Sequence, residues 1–193
     1  MSNAAEKLSM TAAEYLEWER GQTEKHEYHL GEIFAMAGGS LRHNYLAGRV
    51  LVLLSTVLQG KPCHAFPSDQ KVSVERGQRY VYPDVVVVCG GIRVEPGTTD
   101  VLDNPMAVVE VLSSSTEKFD RGDKWAAYQR LESLKDYLLV SQSIAQIEHF
   151  QRQSDGAWRY QLVEVGGSIE LSNGARLSVA EFYVGAFDVP GDP

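Results

Sequence analysis

The stretch Ala107–Arg130, AVVEVLSSSTEKFDRGDKWAAYQR, places two charges on consecutive elements where a folded domain normally has apolar side chains. Its first part predicts a strand, Met106–Leu112, that is apolar on both faces, as is typical of a central strand. Glu110 lies in the middle of that strand. Its second part predicts a helix, Asp120–Leu131, whose first residue is the N-cap and whose apolar side includes Lys124.

Each such charge has an ordinary structural explanation. The stem of Lys124 would pack while its ammonium group reaches water. A salt bridge would compensate Glu110, because a lone buried carboxylate is costly. Asp84, which follows Pro83, fits a turn cap, and Glu32 fits the solvated end of a hairpin.

Taken together, the four charges predict a different chemistry. Glu32, Asp84 and Glu110 lie on elements able to converge, and gathered carboxylates raise one another's pKa. A hard divalent cation removes that repulsion, and Mg²⁺ favours octahedral oxygen ligands at about 2.0–2.1 Å. Such a cation polarises a phosphoryl oxygen and acidifies bound water, while Lys124 would orient that water or stabilise charge in the transition state. The four side chains therefore predict a catalytic site with bound Mg²⁺ or Mn²⁺.

The order of elements indicates a mixed α/β fold. Thr11 and Glu14 form a capping-box pattern that opens a short helix, and HEYHLGEIFAMAGG predicts two strands that turn near Gly31. An apolar stripe at helical spacing predicts a helix over Leu41–Leu58. Further strands are predicted in CHAF, DQKVSVE, YVYPDVVVVCG, KDYLLVS, AQIEHFQR and WRYQLVEV. The pattern corresponds to a sheet with helices packed on it.

The chain shows no repeat, linker or low-complexity segment. Residues 11–193 form one predicted domain, and residues 1–10 are interpreted as a disordered or tag-like N-terminal segment. No apolar run approaches the roughly 20 residues that span a bilayer, and the N-terminus lacks an apolar signal core. We therefore expect a cytoplasmic protein without a membrane partner. Cys63 and Cys89 are expected as buried thiols in a reducing compartment rather than as a disulfide.

The net charge of −8, with 18 Lys and Arg against 26 Asp and Glu, opposes a protein that holds nucleic acid through its overall field. It leaves open a nuclease whose acidic site is neutralised by metal and whose basic groups act locally. The segment Lys118–Arg130 is the local basic cluster that borders the predicted cleft. No base-reading motif is present, so no sequence specificity is expected.

Two segments, YPDVVVVCG and VVEVLSSSTEKFDRGDKWAAYQR, place an acid after a proline, an acid within a later strand, and a lysine beyond it. This order resembles the PD-(D/E)XK nuclease superfamily and, within it, the Uma-two family of bacterial endonucleases. HEYHLGEIFAMAGGS followed by His43, FPSDQKVSVE and SLKDYLLVSQ extend the resemblance over Thr11–Phe187. The resemblance implies a restriction-endonuclease-like core, a mixed sheet flanked by helices.

Residue by residue, the resemblance assigns Glu32, Asp84 and Glu110 to the acids that hold metal. Leu112 stands where the superfamily usually has its lysine, two positions after the glutamate. The resemblance therefore implies that the lysine has moved to the following helix, which fits Lys124.

A second tier of candidates comprises His43, Asp69, Lys71, Asp120 and Tyr128. His43 lies on the apolar stripe of its helix, which favours a core histidine over a site residue. Asp69 and Lys71 are two positions apart in a predicted strand and face the same way, so Lys71 is an alternative catalytic cation. For Tyr128, packing is favoured over a bond to phosphate.

The leading hypothesis is a Mg²⁺- or Mn²⁺-dependent endonuclease that hydrolyses phosphodiester bonds in DNA. A homodimer is expected, because cutting both strands requires two sites. The alternative is a non-catalytic module that keeps the nuclease fold and acts through protein partners, which the acidic charge and the absent lysine beside Glu110 favour. An RNA substrate is a third hypothesis that no residue distinguishes.

Overall fold

The computed structural model describes residues 9–36 and 38–192, and β-strands form its framework. In chain order the strands are β1 (His26–His29), β2 (Glu32–Ala35), β3 (Cys63–Pro67), β4 (Lys71–Val74), β5 (Arg79–Val81), β6 (Val85–Cys89), β7 (Val101–Leu102), β8 (Ala107–Leu112), β9 (Asp136–Ser141), β10 (Gln146–Arg152), β11 (Trp158–Glu164), β12 (Ser168–Glu170) and β13 (Arg176–Ser178). The helices are α1 (Ala12–Glu19), α2 (Leu41–Val57), α3 (Glu117–Phe119), α4 (Trp125–Tyr128) and α5 (Val179–Phe182). The predicted mixed α/β architecture is confirmed.

The strands assemble into two large sheets and one small one. A five-stranded sheet has the order β2-β1-β5-β4-β7, a six-stranded sheet has the order β11-β10-β9-β8-β6-β3, and β12 pairs with β13. In the six-stranded sheet, β8 runs parallel to β9 and antiparallel to β6. All six residues of β8 are buried. The prediction of a central strand that is covered on both faces is therefore confirmed.

The long helix α2 covers one face of the six-stranded sheet. Its buried residues Leu46, Val50 and Leu54 belong to one apolar cluster with Val109 and Val111 of β8. The predicted apolar stripe is thus the packed face, and the helix ends at Val57, one residue before the predicted end. No helix in the described ranges, α2 included, combines the length and apolarity needed to cross a membrane.

The opposite face of β8 carries the charged position. Val108 and Leu112 pack in a second apolar cluster with Val72 of the five-stranded sheet and with Tyr128. Glu110 lies between Val108 and Leu112 on this face, because side chains alternate along a strand. The carboxylate is therefore enclosed between the two sheets and the helical segment that follows β8.

That helical segment differs from the prediction. It consists of α3, a π-helical turn at Asp120–Lys124, and α4, so the helix begins at Glu117 and ends at Tyr128. Asp120 has αR backbone angles of φ −63° and ψ −39°. The prediction of Asp120 as the N-cap is therefore wrong, because three helical residues precede it. A π-turn widens the helix locally, and such turns are frequent at functional sites.

The run YVYPDVVVVCG, predicted as one strand, is divided in two. It contains β5 and β6, which belong to different sheets, and Pro83 and Asp84 lie between them. Proline cannot donate to a strand ladder, so it ends the pairing of one sheet before the next begins. This division places Asp84 at the start of β6, at the junction of the two sheets.

The N-terminal boundary also needs correction. Residues 1–8 of the segment predicted as disordered or tag-like lie outside the described residues. Ser9, however, forms a β-bridge with Glu32, and the N–H of Met10 donates to the carbonyl of Gly31 at 3.1 Å. Both residues therefore belong to the fold, and the capping box of Thr11 opens α1 directly after them.

The cysteine prediction is wrong. Cys63 and Cys89 form a disulfide across the antiparallel pair β3 and β6, with their Cα atoms 4.0 Å apart. The register explains the pairing, since the two residues lie directly opposite one another. Sequence separation gave no indication of this register.

Truncation of the α2 stripe should weaken the fold. Leu54 is 1% exposed and packs against the six-stranded sheet. Leu54→Ala should lower the free energy of unfolding by about 2–5 kcal/mol, because it removes buried apolar contacts and leaves a cavity. Urea unfolding followed by circular dichroism measures the loss.

Leu41→Ala is the matched control, because Leu41 lies in the same helix and is 66% exposed. Its effect should stay within about 0.5 kcal/mol. Equal losses for the two variants would contradict the assignment of the packed face.

Candidate active site

A pocket of about 680 Å³ opens at the junction of the two sheets. Six predicted or second-tier residues line it: Asp84, Glu110, Lys124, His43, Asp69 and Asp120. A larger pocket of about 780 Å³ lies elsewhere, and its lining includes Glu75, Arg93 and Arg130. The smaller pocket is the candidate active site, since it is the one that brings the buried acids and the lysine together.

Strand register brings Asp84 and Glu110 side by side. Val85 pairs with Val109 in antiparallel β6 and β8, so the next position places Asp84 opposite Glu110. The N–H of Val111 donates to Asp84 Oδ2 at 2.7 Å, which fixes the carboxylate against β8. The two acids therefore share one face of the sheet although 26 positions separate them in the sequence.

Lys124 is buried among carboxylates from three elements. Its Nζ lies 2.9 Å from Glu110 Oε1, 3.2 Å from Glu27 Oε1 and 3.8 Å from Asp120 Oδ1. The side chain of Lys124 is only 7% exposed, so water does not screen these pairs strongly. Burial alone would lower the pKa of Lys124, but Glu110, Glu27 and Asp120 raise it well above its ordinary value. The amine is therefore held as an ammonium group.

Glu27 of β1 is a partner that the sequence reasoning missed. Besides Lys124, it contacts His29 Nε2 at 3.2 Å, and it accepts the N–H of Tyr82 at 3.1 Å. Burial acts to raise the pKa of Glu27, yet Lys124 and these donors lower it to about 2. Side chains alternate along a strand, so the sequence already places Glu27 and His29 on one face of β1. This acid–histidine pair was the signal that could have identified Glu27 as a site residue.

Glu110 is in the opposite electrostatic state. Tyr128 donates its hydroxyl to Glu110 Oε1 at 3.0 Å, and Lys124 contacts the same oxygen. Burial raises the pKa of Glu110 well above its ordinary value, Lys124 opposes this effect, and the nearby carboxylates of Asp120 and Asp84 add to it. The Glu110 anion is therefore under-compensated by the protein alone.

Counting charges explains this imbalance. Glu27, Glu110 and Asp120 contact one lysine, Lys124, and Asp84, which pairs with His43, adds a fourth carboxylate near Glu110. Burial also raises the pKa of Asp120, against the attraction of Lys124. A site with this surplus of carboxylates either takes up protons or accepts a cation.

His43 is a partner of Asp84 rather than a core histidine. Its Nε2 lies 3.3 Å from Asp84 Oδ2, and both side chains are 15% exposed. Burial acts to lower the pKa of His43, but its bond with Asp84 raises that pKa above its ordinary value. The expectation from the apolar stripe is therefore corrected, because the first turn of α2 reaches the pocket instead of the core.

Glu32, Lys71 and Asp69 take other positions. Glu32 pairs with His29 at the turn end of the hairpin, and it is Glu27 that contacts Lys124. Lys71 lies in the five-stranded sheet, 3.9 Å from Asp100 and outside the pocket lining. Asp69 lies in a turn before β4 rather than in the strand of Lys71, and it pairs with Lys25 at the pocket rim.

The basic cluster Lys118–Arg130 is largely neutralised by neighbouring acids. Arg121 pairs with Glu117 and Glu148, Arg130 pairs with Glu75, and Lys124 is buried. Lys118 is exposed. The cluster therefore presents less positive charge to solvent than its sequence indicates.

The donor set can be compared with the needs of a divalent metal. Within the described ranges, no group of three or more His, Cys, Asp or Glu side chains has the geometry to hold a metal ion. The predicted triad of Glu32, Asp84 and Glu110 is thus not assembled. The Asp84–Glu110 pair still fits Mg²⁺, which commonly binds one or two carboxylates and completes its shell with water and phosphate.

The mixed sheets flanked by helices agree with the restriction-endonuclease-like core that the sequence resemblance implies. The family model of Uma2, described as "Putative restriction endonuclease", matches residues 12–185, and the chain belongs to this family. The resemblance seen in the sequence motifs is therefore confirmed.

Individual relatives agree with this assignment. The chain is 38% identical over 177 residues to a Synechocystis protein described as "Uncharacterized protein slr1290", with 91% of this chain and 92% of the relative covered. A second Synechocystis protein, "Uncharacterized protein sll1609", is 34% identical over 164 residues, 84% of this chain and 93% of the relative. A crystal structure of "a putative nuclease belonging to DUF820" from Anabaena variabilis superposes with a TM-score of 0.73 at 15% identity, covering 92% of this chain and 99% of that one. That structural likeness shows a shared fold.

The raised pKa of Glu110 leads to a pH-dependent stability. A raised pKa means that the folded chain binds this proton at a higher pH than the unfolded chain, where Glu titrates near about 4.3. The stability from this group is present at low pH and is lost as the pH rises through the raised pKa. Glu110→Gln should therefore gain stability relative to the wild type between about pH 5 and about pH 8. Urea unfolding in the presence of a chelator measures this difference.

Glu132→Gln is the control, since Glu132 is exposed and outside the pocket. The difference in unfolding free energy between Glu132→Gln and the wild type should stay constant over the same pH range. If Glu110→Gln instead loses stability as the pH rises, Lys124 compensates the Glu110 anion fully and the charge imbalance does not exist.

Proposed function

We propose that the chain is a Mg²⁺- or Mn²⁺-dependent endonuclease that hydrolyses phosphodiester bonds in DNA. The observation that carries the proposal is the surplus of buried and half-buried carboxylates around a single ammonium group, with Asp84 and Glu110 adjacent on one sheet face. A protein gains nothing in stability from such a surplus, since burying unpaired charge is costly. Membership in a family described as restriction endonucleases supports the same reaction class.

Asp84 and Glu110 are the proposed metal ligands. A divalent ion held there would polarise a phosphoryl oxygen and lower the pKa of bound water. Asp84 is oriented for this role by the Val111 N–H and by His43, and Glu110 by the Tyr128 hydroxyl.

Lys124 is the proposed cationic helper. Because its pKa is raised, it donates protons in hydrogen bonds and does not act as a general base. A buried ammonium group at the pocket wall stabilises negative charge that develops on a phosphoryl oxygen, and its effect is strong where water is excluded. Glu27 positions Lys124 through the 3.2 Å ion pair.

The proposal includes a DNA substrate and a homodimer, in which each copy supplies one site for one strand. With a net charge of −8 and a basic cluster paired to acids, phosphate contacts would come from few groups, among them Lys25 at the pocket rim. Affinity for DNA should then be weak and non-specific.

Metal should stabilise the native chain and switch on cleavage. At a hundredfold excess over its Kd, Mn²⁺ should raise the unfolding free energy by about 2.7 kcal/mol, because it binds only the folded site. Asp84→Asn should abolish this gain. Supercoiled plasmid should be nicked with Mg²⁺ or Mn²⁺ and left intact with a chelator.

Lys124→Met should reduce the nicking rate about 10²-fold or more. Lys118→Met is the matched control, because Lys118 is exposed on the same helical segment and lies outside the pocket lining. Circular dichroism checks that each variant folds. Absence of both metal stabilisation and nicking in the wild type would favour the non-catalytic module instead.

Mutation should distinguish the roles of the two hairpin acids, Glu27 and Glu32, in nicking. Glu27→Gln should slow nicking at least about tenfold, because Lys124 loses the partner that holds it. Glu32→Gln makes the same chemical change on the same hairpin and should leave the rate within about twofold of the wild type. Initial rates on plasmid measure both. The reverse ranking would restore Glu32 as the third acid of the site.

A further inference from the structure

The segment Val189–Asp192, here called the strap, reaches the active-site pocket, which Asp192 lines. Arg42 of α2 anchors it, since the Arg42 backbone N–H donates to the Pro190 carbonyl and the guanidinium Nε donates to the Val189 carbonyl, each at 2.9 Å. A Cβ at position 191 would lie 2.9 Å from the Arg42 guanidinium, so Gly191 allows the close approach. The strap is therefore seated on the first turn of α2 rather than projecting into solvent.

The last described residue of the strap, Asp192, places its carboxylate among hydrogen-bond donors. Its Oδ2 accepts the Ser114 N–H at 3.0 Å, the Gln142 Nε2 amide at 2.9 Å, and the Ser114 hydroxyl at 3.4 Å. The Ser114 N–H is the main cause that lowers the pKa of Asp192 below its ordinary value. The position therefore favours an anion.

The Gln142 donor is fixed independently of Asp192. Gln142 is 5% exposed, its Oε1 accepts the Ser40 hydroxyl at 2.9 Å, and its Nε2 donates to the Leu112 carbonyl at 2.8 Å. With the carbonyl and one amide hydrogen of Gln142 engaged, the second amide hydrogen must point at Asp192. Because Ser40 also caps α2 through the His43 N–H, its hydroxyl cannot turn away freely. Removal of the carboxylate would leave a cup of unpaired donors, the Ser114 N–H and one amide hydrogen of Gln142.

We propose that this cup, formed by Ser114 and Gln142, is a subsite for a backbone phosphate group of the nucleic acid, and that Asp192 occupies it until substrate displaces the strap. Phosphate oxygens accept the same N–H and O–H donors as a carboxylate, and backbone N–H and side-chain amide groups are usual phosphate partners. One pocket is lined by Asp192, Ser114, Asp84 and Glu110. A nucleic-acid strand with one phosphate group in the cup would therefore run past Asp84 and Glu110. The identification of that phosphate as part of a nucleic acid depends on the proposed function, whereas the anion site does not.

Asp192→Ala tests the site, with Asp188→Ala as matched control. Asp188 is exposed on the adjoining 3₁₀ turn and its loss changes the net charge equally. Inorganic phosphate is titrated at constant ionic strength while NMR follows the Ser114 amide and the Gln142 side-chain amide. Asp192→Ala should bind phosphate at least about fivefold more tightly than the wild type or the control, since the competing carboxylate is gone. An equal affinity in the two variants, or unshifted Ser114 and Gln142 signals, overturns the site.

A short fluorescein-labelled DNA duplex, with chelator present, tests the source of the phosphate. Fluorescence anisotropy should show that Asp192→Ala binds the duplex more tightly than Asp188→Ala, by a factor similar to that for inorganic phosphate. A gain for inorganic phosphate without a gain for the duplex overturns the backbone assignment and leaves a site for free phosphate.

The two proposals fail separately. If Asp192→Ala binds phosphate more tightly but neither the wild type nor any variant nicks plasmid with Mg²⁺ or Mn²⁺, the nuclease function is overturned and the anion site stands. If the wild type nicks plasmid and Asp192→Ala gains nothing in either titration, the function stands and the subsite is overturned.

Discussion

The buried ammonium group of Lys124 is the interaction on which the rest of the structure depends. It joins Glu27 of the five-stranded sheet, Glu110 of the six-stranded sheet and Asp120 of its own π-turn. Removing one member of a buried pair usually costs about 3–5 kcal/mol, because the other charge is left uncompensated. Lys124 therefore links the two sheets and the helical segment electrostatically, in addition to the apolar cluster that packs them together, and the pocket lies where they meet.

The same cluster shows a conflict between stability and chemistry. Glu27 is well compensated, with a pKa lowered to about 2, whereas Glu110 and Asp120 have raised pKa values under the combined effect of burial and like charge. One lysine cannot neutralise Glu27, Glu110 and Asp120 together. Proteins tolerate such local imbalance mainly at functional sites, where it is offset by the surrounding fold. Here the offset comes from two apolar clusters packed on the faces of the six-stranded sheet.

The pocket has two chemically distinct ends. At one end, Asp84 and Glu110 supply oxygen ligands suited to a hard cation. At the other, Ser114 and Gln142 supply donors suited to an anion, and the strap carries its own carboxylate there. A phosphodiester needs both kinds of contact, one for charge that develops during reaction and one for position. For the proposed DNA substrate, these contacts would act locally against a net charge of −8.

The sequence by itself determined the mixed fold, the central strand with Glu110 and the α2 stripe, and it marked Asp84 and Lys124, which line the pocket, as candidates. Each of these inferences depends on the periodic spacing of apolar residues, or on a charged residue that interrupts that spacing. Both patterns can be recognised from residues close together in the sequence. Only the tertiary structure decided that Glu27 rather than Glu32 contacts Lys124, that His43 meets Asp84, and that Cys63 bonds Cys89. These facts depend on strand register, on a π-turn and on which sheet each strand joins. Register is set by packing over the whole domain. A shift of one residue in a strand would turn its side chains, such as Glu27 in β1, to the opposite face of the sheet.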